Sequence, residues 1–255
     1  MGLRSVTPRR LARAVSSRLS RASVLASNIA NTDRPLRCNS CGAQTTAFYK
    51  FGDRPSGCPY CGSLARERFL LAGIDSGLLP LRQGSRTLHI APSEVTVANR
   101  FVAAGEYVAA DLIPRRYKGH EVCALDLTQL ADRLDEFGYF DLIYASHVLE
   151  HITDDRAAMT AMFAALRPGG QVWIMVPLQG EVTAEMRPGM TMYDLEREFG
   201  QWDHVRMYGT DIAERLRSVG FDVLRISTAD QAPEMVYEAG LDATDVVFVG
   251  RKRNP

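Results

Sequence analysis

The sequence predicts an α/β protein in which a doubly wound parallel sheet follows a small N-terminal zinc ribbon. Two observations carry this prediction. From residue 85 onward, short apolar runs alternate with helical stretches, which is the βαβ pattern of a parallel sheet. Upstream of residue 85, two Cys-x2-Cys pairs stand sixteen residues apart, a spacing typical of a closed metal site.

Cys38, Cys41, Cys58 and Cys61 are the predicted zinc ligands. A glycine follows each pair, so the backbone can turn back toward the sulfurs. A disulfide framework is disfavoured because such frameworks belong to small secreted domains, and this chain has 255 residues. A redox pair is the other alternative, but two matched pairs favour a metal. With four protein ligands the zinc would have no open position, so its expected role is structural.

Charge is unevenly distributed along the chain. The net charge is zero, but residues 1–37 carry eight arginines and one acid, so their charge of +7 leaves −7 for the rest. A body that binds nucleic acid would carry the opposite sign, so nucleic acid is not the favoured partner. The Arg/Ser-rich start resembles an organellar transit peptide. The alternative is a basic arm, disordered or docked as a helix, and the excess of arginine over lysine favours it.

The composition is that of a soluble protein with a packed core. Hydrophobic residues make up 46% of the chain, and no apolar run is long enough to span a bilayer. No secretory signal is evident, so the cytoplasm is the expected compartment. The oligomeric state is left open.

Shifts in composition set the predicted domain boundaries. We predict a basic arm over 1–34, the ribbon over 35–63, a connecting helix in 64–84 and the α/β domain over 85–255. Within that domain, 178–208 fit neither the helical nor the strand period. A segment of that length is typically functional, so it is the predicted substrate lid.

The elements of the α/β domain follow in order. The predicted strands are 87–91, 107–110, 122–125, 140–146, 172–176, 221–226 and 246–249, and the predicted helices are 92–104, 154–166 and 211–219. An Arg-Pro-Gly-Gly turn ends the second of these helices. The strand after it is wholly apolar, as a buried central strand should be.

Polar residues follow the strands at the edge where parallel sheets bind ligands. Asp111 comes about twenty residues after the first strand, where a nucleotide-binding sheet places the carboxylate that accepts hydrogen bonds from ribose hydroxyls. Asp126 and Leu127 follow the third strand, in position to meet an adenine. Ser146 and His147 follow the fourth strand.

This layout resembles the class I S-adenosylmethionine-dependent methyltransferases over residues 85–252. Its most specific parts are the fourth-strand segment at 140–151, FDLIYASHVLEH, and the LRPGG turn at 166–170. Residues 107–112 and 125–127 match the family's ribose and adenine positions. The resemblance implies a seven-stranded, Rossmann-like methyltransferase sheet, S-adenosylmethionine as cofactor and in-line methyl transfer.

The ribbon narrows the resemblance further. The chain combines the ribbon with the His-Ile-Ala-Pro turn at 89–92 and the segment FGQWDHVRMYG at 199–209. In this combination it is similar to a largely uncharacterised bacterial methyltransferase group that carries a four-cysteine ribbon. The implied cofactor-binding residues are His89, Ala91, Pro92, Ser93, Asp111, Leu112, Asp126, Leu127, Ser146 and His147.

One turn departs from the wider family. Most class I methyltransferases have a glycine-rich turn after the first strand, because glycine lets the backbone approach the amino acid part of the cofactor. Here the turn is Ala91-Pro92-Ser93-Glu94, without glycine. Either Ser93 and backbone amides bind the cofactor in another geometry, or binding is weakened or lost. The ribbon-containing group shares this substitution, which favours the first alternative.

His204 and His151 are the candidate catalytic residues. Imidazole titrates near neutral pH, which suits removal of a proton from a hydroxyl or amine as it is methylated. His204 lies beside Asp203 and Arg206 in the predicted lid, so the alternative is that these three residues fix the lid through ion pairs. His151 fits a partly buried histidine with satisfied hydrogen bonds equally well.

The segment from His147 to His151 also matches the H-x-x-E-H pattern of inverted zinc peptidases, with Glu150 as the base. This interpretation is disfavoured because the motif starts at a strand end and no third ligand is marked downstream.

The predicted function is methyl transfer to an unidentified acceptor. The acidic body favours a small molecule or a sugar intermediate. One alternative is an RNA methyltransferase in which the ribbon and basic arm bind nucleic acid. The other is a non-catalytic binding protein on a degenerate methyltransferase fold.

Overall fold

The computed structural model describes residues 8–52, 54–117 and 121–254. They form two compact units. The first contains the described residues up to 80 together with 227–245, and the second contains the described residues of 81–226 together with 246–254. Residues 227–245 therefore belong to the first unit, although the predicted α/β domain runs through them.

The first unit is built from helices and short hairpins. Its elements are α1 (Pro8–Ala30), β1 (Leu36–Arg37), β2 (Gln44–Thr45), β3 (Tyr49–Phe51), β4 (Arg54–Gly57), α2 (Ala65–Asp75) and a short helix at Pro233–Glu238. β1 pairs with β2, and β3 with β4, both antiparallel. The helix predicted within 64–84 is α2, whose start is capped by Glu67 through the Leu64 backbone N–H at 3.1 Å.

Most of the described part of the predicted basic arm is the helix α1, docked by its polar side, and residues 1–7 of the arm lie outside the described residues. The Asn28 amide donates to the Thr45 hydroxyl at 2.9 Å, and Arg21 Nε donates to a backbone carbonyl in the second cysteine turn at 2.8 Å. Of the forms considered for this segment, the structure has the docked helix. The apolar residues Leu11, Val15 and Leu19 lie on exposed turns of the same helix.

Arg68 explains why residues 227–245 join the first unit. Its fully buried guanidinium donates to the backbone carbonyls of Ser63 and Ala239, each at 2.6 Å, and stacks 3.9 Å from the Phe48 ring centroid. A guanidinium has five donors and is always charged, so burying it requires several acceptors. The carbonyls of the 239–240 segment supply two of them.

The second unit contains a seven-stranded sheet. The strands of the unit, seven of which form this sheet, are β5 (Ser85–Ile90), β6 (Gly105–Asp111), β7 (Cys123–Ala124), β8 (Phe140–Ser146), β9 (Leu166–Met175), β10 (Ala184–Glu185), β11 (Arg206–Met207), β12 (Asp222–Ser227) and β13 (Val246–Arg251). Its helices are α3 (Val95–Ala104), α4 (Leu134–Phe137), α5 (Asp155–Ala165), α6 (Met192–Phe199) and α7 (Ile212–Val219).

The strand order is β12-β13-β9-β8-β5-β6-β7, with β10 and β11 in a separate pair. The pairs from β7 to β9 are parallel, and β13 runs antiparallel to β9. The order reverses between β5 and β8, which is the switch point of a doubly wound sheet. The predicted fold class is confirmed, with one antiparallel strand added to the predicted parallel sheet.

Helices cover both faces of the sheet. On one face, Phe101 of α3 packs against the rings of His89, Tyr144 and Trp173. The other face carries the main apolar core, with α5, α7 and the 3-10 helix Leu127–Arg133 against the strands. None of the helices in the described part of the chain is long and apolar enough to cross a membrane.

Residues 178–208, which fit neither period in the sequence and were predicted as a lid, contain regular structure. The segment contains α6 and the β10–β11 pair. The Thr191 hydroxyl and the Asp194 carboxylate form a capping box at the start of α6, and the helix ends at Gly200 in the left-handed conformation. An eight-residue helix and two-residue strands are too short to produce a clear period, which is why the pattern missed them.

Candidate functional site

The carboxyl ends of the central strands meet at one edge of the sheet. Ile90 of β5 is in register with Ala110 of β6 on one side and with Ala145 of β8 on the other. The residues that follow these pairs, Asp111 and Ser146, therefore flank the end of β5. The topology brings the ends of β5, β6, β7 and β8 to this edge, where the predicted cofactor-binding residues other than His89 are found.

Two non-glycine residues at this edge have left-handed backbones. They are Ala91 (φ 53°) and His147 (φ 55°), the first residues after β5 and β8. Their backbone N–H groups donate to the Ala110 and Met175 carbonyls, each at 2.8 Å, which fixes both turns to the neighbouring strands. This conformation costs a non-glycine residue roughly 1–2 kcal/mol and is concentrated at functional sites. Ala91 thus adopts a conformation that glycine would take without strain.

Asp111 is held by its own loop. Its buried carboxylate accepts the Ile113 backbone N–H at 2.5 Å and the Tyr117 hydroxyl at 2.8 Å. Burial, followed by the hydrogen bond to Asp111, raises the pKa of Tyr117, so this phenol remains a donor. Each carboxylate oxygen has a second lone pair, so Asp111 can accept two further hydrogen bonds. Leu112, beside it, is exposed.

The end of β7 has a different arrangement. Asp126 Oδ1 accepts the backbone N–H and the hydroxyl of Thr128, at 3.0 and 2.7 Å, and so caps the 3-10 helix Leu127–Arg133. Leu127 itself is buried. These contacts fix the chain direction at the strand end.

Ser146 provides a test of whether a polar ligand fits this edge. The residue is buried, and its Oγ has no hydrogen-bond partner among the residues that the structure describes. Buried hydroxyls are normally hydrogen-bonded, so such a group indicates a missing polar partner. With Asp111 able to accept two more bonds, the strand ends fit a cofactor that has both hydroxyl and charged groups.

His89 lies inside the domain and not at the open edge. It is fully buried, with Nδ1 3.1 Å from the Tyr107 hydroxyl and Nε2 3.4 Å from Glu94 Oε2. Glu94 is also buried, and burial together with this carboxylate raises the pKa of Tyr107 to about 12. The three residues support the Ala91–Glu94 turn from beneath. Glu94 and Tyr107 belong to segments that the sequence analysis singled out, but no sequence pattern indicated that these two side chains meet His89.

A second group of polar residues follows β8. Glu150 lies in the 3-10 turn Leu149–His151, and its carbonyl accepts the Val205 backbone N–H at 2.8 Å. Arg206 donates to the carbonyls of Leu149 and Thr153, at 3.0 and 2.8 Å. These bonds hold residues 204–206 along the turn, so two parts of the chain more than fifty residues apart form one cluster.

The cluster consists of Glu150, His151 and His204. Glu150 is 1% exposed, and His204 Nε2 lies 4.0 Å from its Oε1. The rings of His151 and His204 meet edge to face at 4.7 Å. Burial lowers the pKa of His204, which keeps that imidazole neutral at pH 7. Burial alone would raise the pKa of Glu150, but His147 and His151 lower it below its usual value.

The structure thus brings together the two candidate catalytic histidines, although His204 is buried and not projecting into open solvent. Its Nδ1 hydrogen-bonds to the Phe199 carbonyl at 2.8 Å. The residue that fixes the segment is Arg206, through backbone carbonyls as well as carboxylates.

The four cysteines form a compact cluster in the first unit. Their ligand atoms lie within 4.8 Å of one another, with Sγ–Sγ distances of 3.8 Å for Cys38–Cys61 and 3.9 Å for Cys41–Cys58. A tetrahedral zinc with Zn–S bonds of about 2.3 Å requires sulfurs roughly 3.8 Å apart. The residues present therefore fit zinc.

Comparison with known proteins bears on the second unit. A family model described as "Methyltransferase domain" matches residues 92–226, more than half of the chain. The chain belongs to this methyltransferase family. The predicted enzyme class, an S-adenosylmethionine-dependent methyltransferase, is confirmed at that level. No curated protein matches the chain.

Solved structures of methyltransferases share similarity with the chain. A SAM-dependent methyltransferase from Archaeoglobus fulgidus is 15% identical, with a TM-score of 0.48 over 73% of this chain and 94% of its own. The Burkholderia thailandensis 1,6-didemethyltoxoflavin-N1-methyltransferase, solved with bound 1,6-didemethyltoxoflavin and S-adenosylhomocysteine, is 20% identical, with a TM-score of 0.43 over 74% of this chain and 79% of its own. A chain in the complex of the Haloferax volcanii Trm112 methyltransferase activator with a putative methyltransferase is 14% identical. Its TM-score is 0.47 over 76% of this chain and 99% of its own.

Proposed function

We propose that the methyltransferase domain binds S-adenosylmethionine where β5, β6, β7 and β8 end, and methylates a small-molecule acceptor. The observation that carries this proposal is the pair formed by Asp111 and Ser146 on either side of the end of β5. One is a buried carboxylate with spare acceptor capacity, and the other is a buried hydroxyl without a described partner.

Each part of the cofactor has candidate partners. Asp111, which Tyr117 orients, would accept hydrogen bonds from the ribose hydroxyls. Leu112 would lie beside the ribose. Asp126 and Leu127 would contact the adenine. The Ala91–Ser93 turn, Ser146 and His147 would hold the methionine part. The bound cofactor would supply a methyl group on a sulfonium, which is already activated for displacement.

The turn without glycine is compatible with this assignment. Ala91 already has the left-handed backbone that the position requires, with φ 53°. The Ser93 N–H donates to the Ala91 carbonyl at 2.7 Å, so this amide is used within the turn and the Ser93 hydroxyl remains the polar group it offers. His89, Glu94 and Tyr107 would support the turn and would not contact the cofactor.

The acceptor side is assigned to the cluster of Glu150, His151 and His204. Glu150 and His151 lie in the turn that follows His147, and His151 is the exposed member of the cluster. Holding the acceptor in line with the sulfonium would supply much of the rate, because methyl transfer is a single displacement. The charge of −7 on residues 38–255 supports a small molecule over a nucleic acid.

The four cysteines are proposed to hold one structural zinc ion. Four thiolates complete its coordination, so the ion would stabilise the first unit and take no part in methyl transfer.

Native mass spectrometry of the full-length protein, with and without S-adenosylhomocysteine, tests these assignments. We expect one zinc per chain and one added S-adenosylhomocysteine, with the ligand lost and the zinc kept in Asp111→Ala. The exposed Asp132→Ala is the matched control and should bind like the unmodified protein. Zinc without S-adenosylhomocysteine, even at millimolar ligand, would contradict the cofactor proposal and favour a binding protein.

A further inference from the structure

Several buried polar atoms in and around the turn after β8 have no hydrogen-bond partner among the described residues. Both carboxylate oxygens of Glu150 and Nε2 of His204 have no hydrogen-bond partner in the described part of the chain, although the two residues are only 1% and 3% exposed. His147 Nδ1 lies 3.4 Å from Glu150 Oε1 without meeting hydrogen-bond geometry. A buried carboxylate normally pairs with a cation or binds a metal.

Backbone carbonyls determine which imidazole nitrogens are available. His204 Nδ1 lies 2.8 Å from the Phe199 carbonyl oxygen, and His151 Nδ1 lies 3.1 Å from that of Asp203. A carbonyl can only accept, so each Nδ1 carries a proton and each Nε2 keeps its lone pair. Histidines that bind metals are oriented in this way, through a hydrogen bond from the nitrogen that does not bind the ion.

The three residues supply a recognised ligand set. One ligand atom from each of Glu150, His151 and His204 lies within 4.8 Å of the other two. Two imidazole nitrogens and one carboxylate oxygen suit first-row divalent ions such as zinc or manganese, and three protein ligands leave coordination positions open. We propose that Glu150, His151 and His204 form a second metal site, which binds a divalent transition-metal ion. It lies at the acceptor side of the proposed cofactor site where β5, β6, β7 and β8 end, called here the strand-end site.

The distances allow such an ion after a small movement. A metal about 2.0–2.1 Å from each ligand atom requires ligand atoms roughly 3.3–3.5 Å apart. His204 Nε2 and Glu150 Oε1 are 4.0 Å apart, so a shift of a few tenths of an ångström in each side chain brings this pair to that spacing. The ligand atom of His151 lies within 4.8 Å of both, and the exposed His151 side chain moves inward to complete the set. The hydrogen bonds of Val205 and Arg206 to the turn keep the two segments together while the side chains move.

One of the two sequence arguments against a zinc peptidase here was that no third ligand is marked downstream, and the fold supplies a candidate for that ligand. His204 is the third ligand, fifty-three residues beyond His151. The set also differs from that of the peptidase pattern, because Glu150 is a ligand and not the base, and His147 lies beside it.

The metal site indicates an acceptor that carries a hydroxyl group. This inference rests on the proposed function. A hydroxyl oxygen of the acceptor on an open position would release its proton to water more readily, because the ion stabilises the oxyanion. That oxygen would then bond to the methyl carbon as the carbon–sulfur bond breaks and sulfur keeps the electron pair. The two histidines would act as metal ligands and not as bases.

Titration of the full-length protein that contains one zinc per chain, freed of excess zinc, with Mn²⁺ tests the site, and the electron paramagnetic resonance signal of free Mn²⁺ is the readout. Thiolates select zinc and carboxylate–imidazole sites accept manganese, so Mn²⁺ discriminates between the two clusters. No cofactor or acceptor is present, so a failure here is distinguishable from a failure of the proposed methyl transfer. We expect one bound Mn²⁺ per chain.

Variants locate the binding. Glu150→Gln and His204→Gln should weaken Mn²⁺ binding by at least about tenfold, while the exposed Glu181→Gln binds like the unmodified protein. His151→Gln changes an exposed side chain, so it serves if the buried variants fail to fold, as judged by circular dichroism. Absence of Mn²⁺ binding at millimolar concentration, or unchanged binding in folded Glu150→Gln or His151→Gln, would overturn the proposal.

Discussion

The four-cysteine cluster and the strand-end site are assembled in opposite ways. The cysteines come from two local turns within twenty-four residues, and all four supply the same atom type. The strand-end site draws Ala91, Asp111, Ser146 and His204 from separate segments and mixes carboxylate, hydroxyl and imidazole. A closed set of identical ligands suits structural support, and a mixed, open set suits chemistry.

The two regions also differ in which residues adopt left-handed backbone conformations. Gly42 (φ 76°) and Gly62 (φ 81°) give the cysteine turns their left-handed bends without strain. At the strand ends Ala91 and His147 adopt such bends with a side chain attached. Strain of this kind persists only where surrounding structure enforces it, which is characteristic of functional sites. The comparison therefore predicts that the two regions respond differently to substitution.

The largest effect is expected from breaking the cysteine cluster. Cys58→Ser should lose the zinc and destabilise the first unit by several kcal/mol, because metal binding contributes directly to folding. S-adenosylhomocysteine binding should persist, since its proposed ligands all lie in the second unit. Metal analysis, calorimetry and ligand titration measure these outcomes. Cys123→Ser, outside the cluster, is the control, and stoichiometric zinc in Cys58→Ser would break the comparison.

The next effect is a pH dependence of unfolding stability, which we expect from Asp245 in the first unit. Burial, with Asp242 nearby, raises the pKa of Asp245 to about 7. The folded state then binds a proton between about pH 4 and 7 that the unfolded state releases, so stability falls as pH rises through this window and levels off above it. The loss amounts to a few kcal/mol, since a tenfold change in proton affinity corresponds to about 1.4 kcal/mol.

Asp245→Asn should remove this dependence and be more stable than the unmodified protein at pH 8. Calorimetric unfolding at pH 5 and pH 8 measures the difference, and comparison between variants cancels the pH dependence of zinc binding. The exposed Asp33→Asn should follow the unmodified protein. Identical pH profiles for Asp245→Asn and the unmodified protein would show that this carboxyl titrates normally.

A smaller effect is expected at the strand ends from Tyr117→Phe. It removes the 2.8 Å hydrogen bond that orients Asp111. A bond to a charged group is worth about 1.5 kcal/mol or more, so binding of S-adenosylhomocysteine should weaken about tenfold. Isothermal titration calorimetry measures it, with the exposed Tyr139→Phe as control. Unchanged affinity in Tyr117→Phe would mean that Asp111 is held without this phenol.

The smallest effect is expected from Ala91→Gly. Relief of left-handed strain stabilises the fold by about 1 kcal/mol, and the greater freedom of glycine in the unfolded chain offsets roughly 0.5–1 kcal/mol of it. Unfolding stability should therefore change by less than about 1 kcal/mol, with S-adenosylhomocysteine still bound. Unfolding in urea measures the change. A large loss of ligand affinity would show that the alanine methyl itself contacts the cofactor.

The sequence alone determined the features that depend on local pattern. Alternating apolar runs predicted the seven strands of the sheet. The paired cysteines predicted their cluster, because each Cys-x2-Cys pair places two sulfurs on one turn and the spacing of the two pairs is typical of a four-thiolate site. The Asp111, Asp126 and Ser146 positions followed from the rule that parallel strands bind ligands at their carboxyl ends. The acceptor could not be predicted, since no local motif encodes it.

Only the tertiary structure decided which distant side chains meet and which are buried. It placed His204 against Glu150, turned His89 into the interior beside Glu94, and joined residues 227–245 to Arg68 in the first unit. None of these contacts has a sequence period, because each joins segments whose separation along the chain is unrelated to their distance in space. Burial then fixed their chemistry by removing water from the carboxylate and imidazole groups involved.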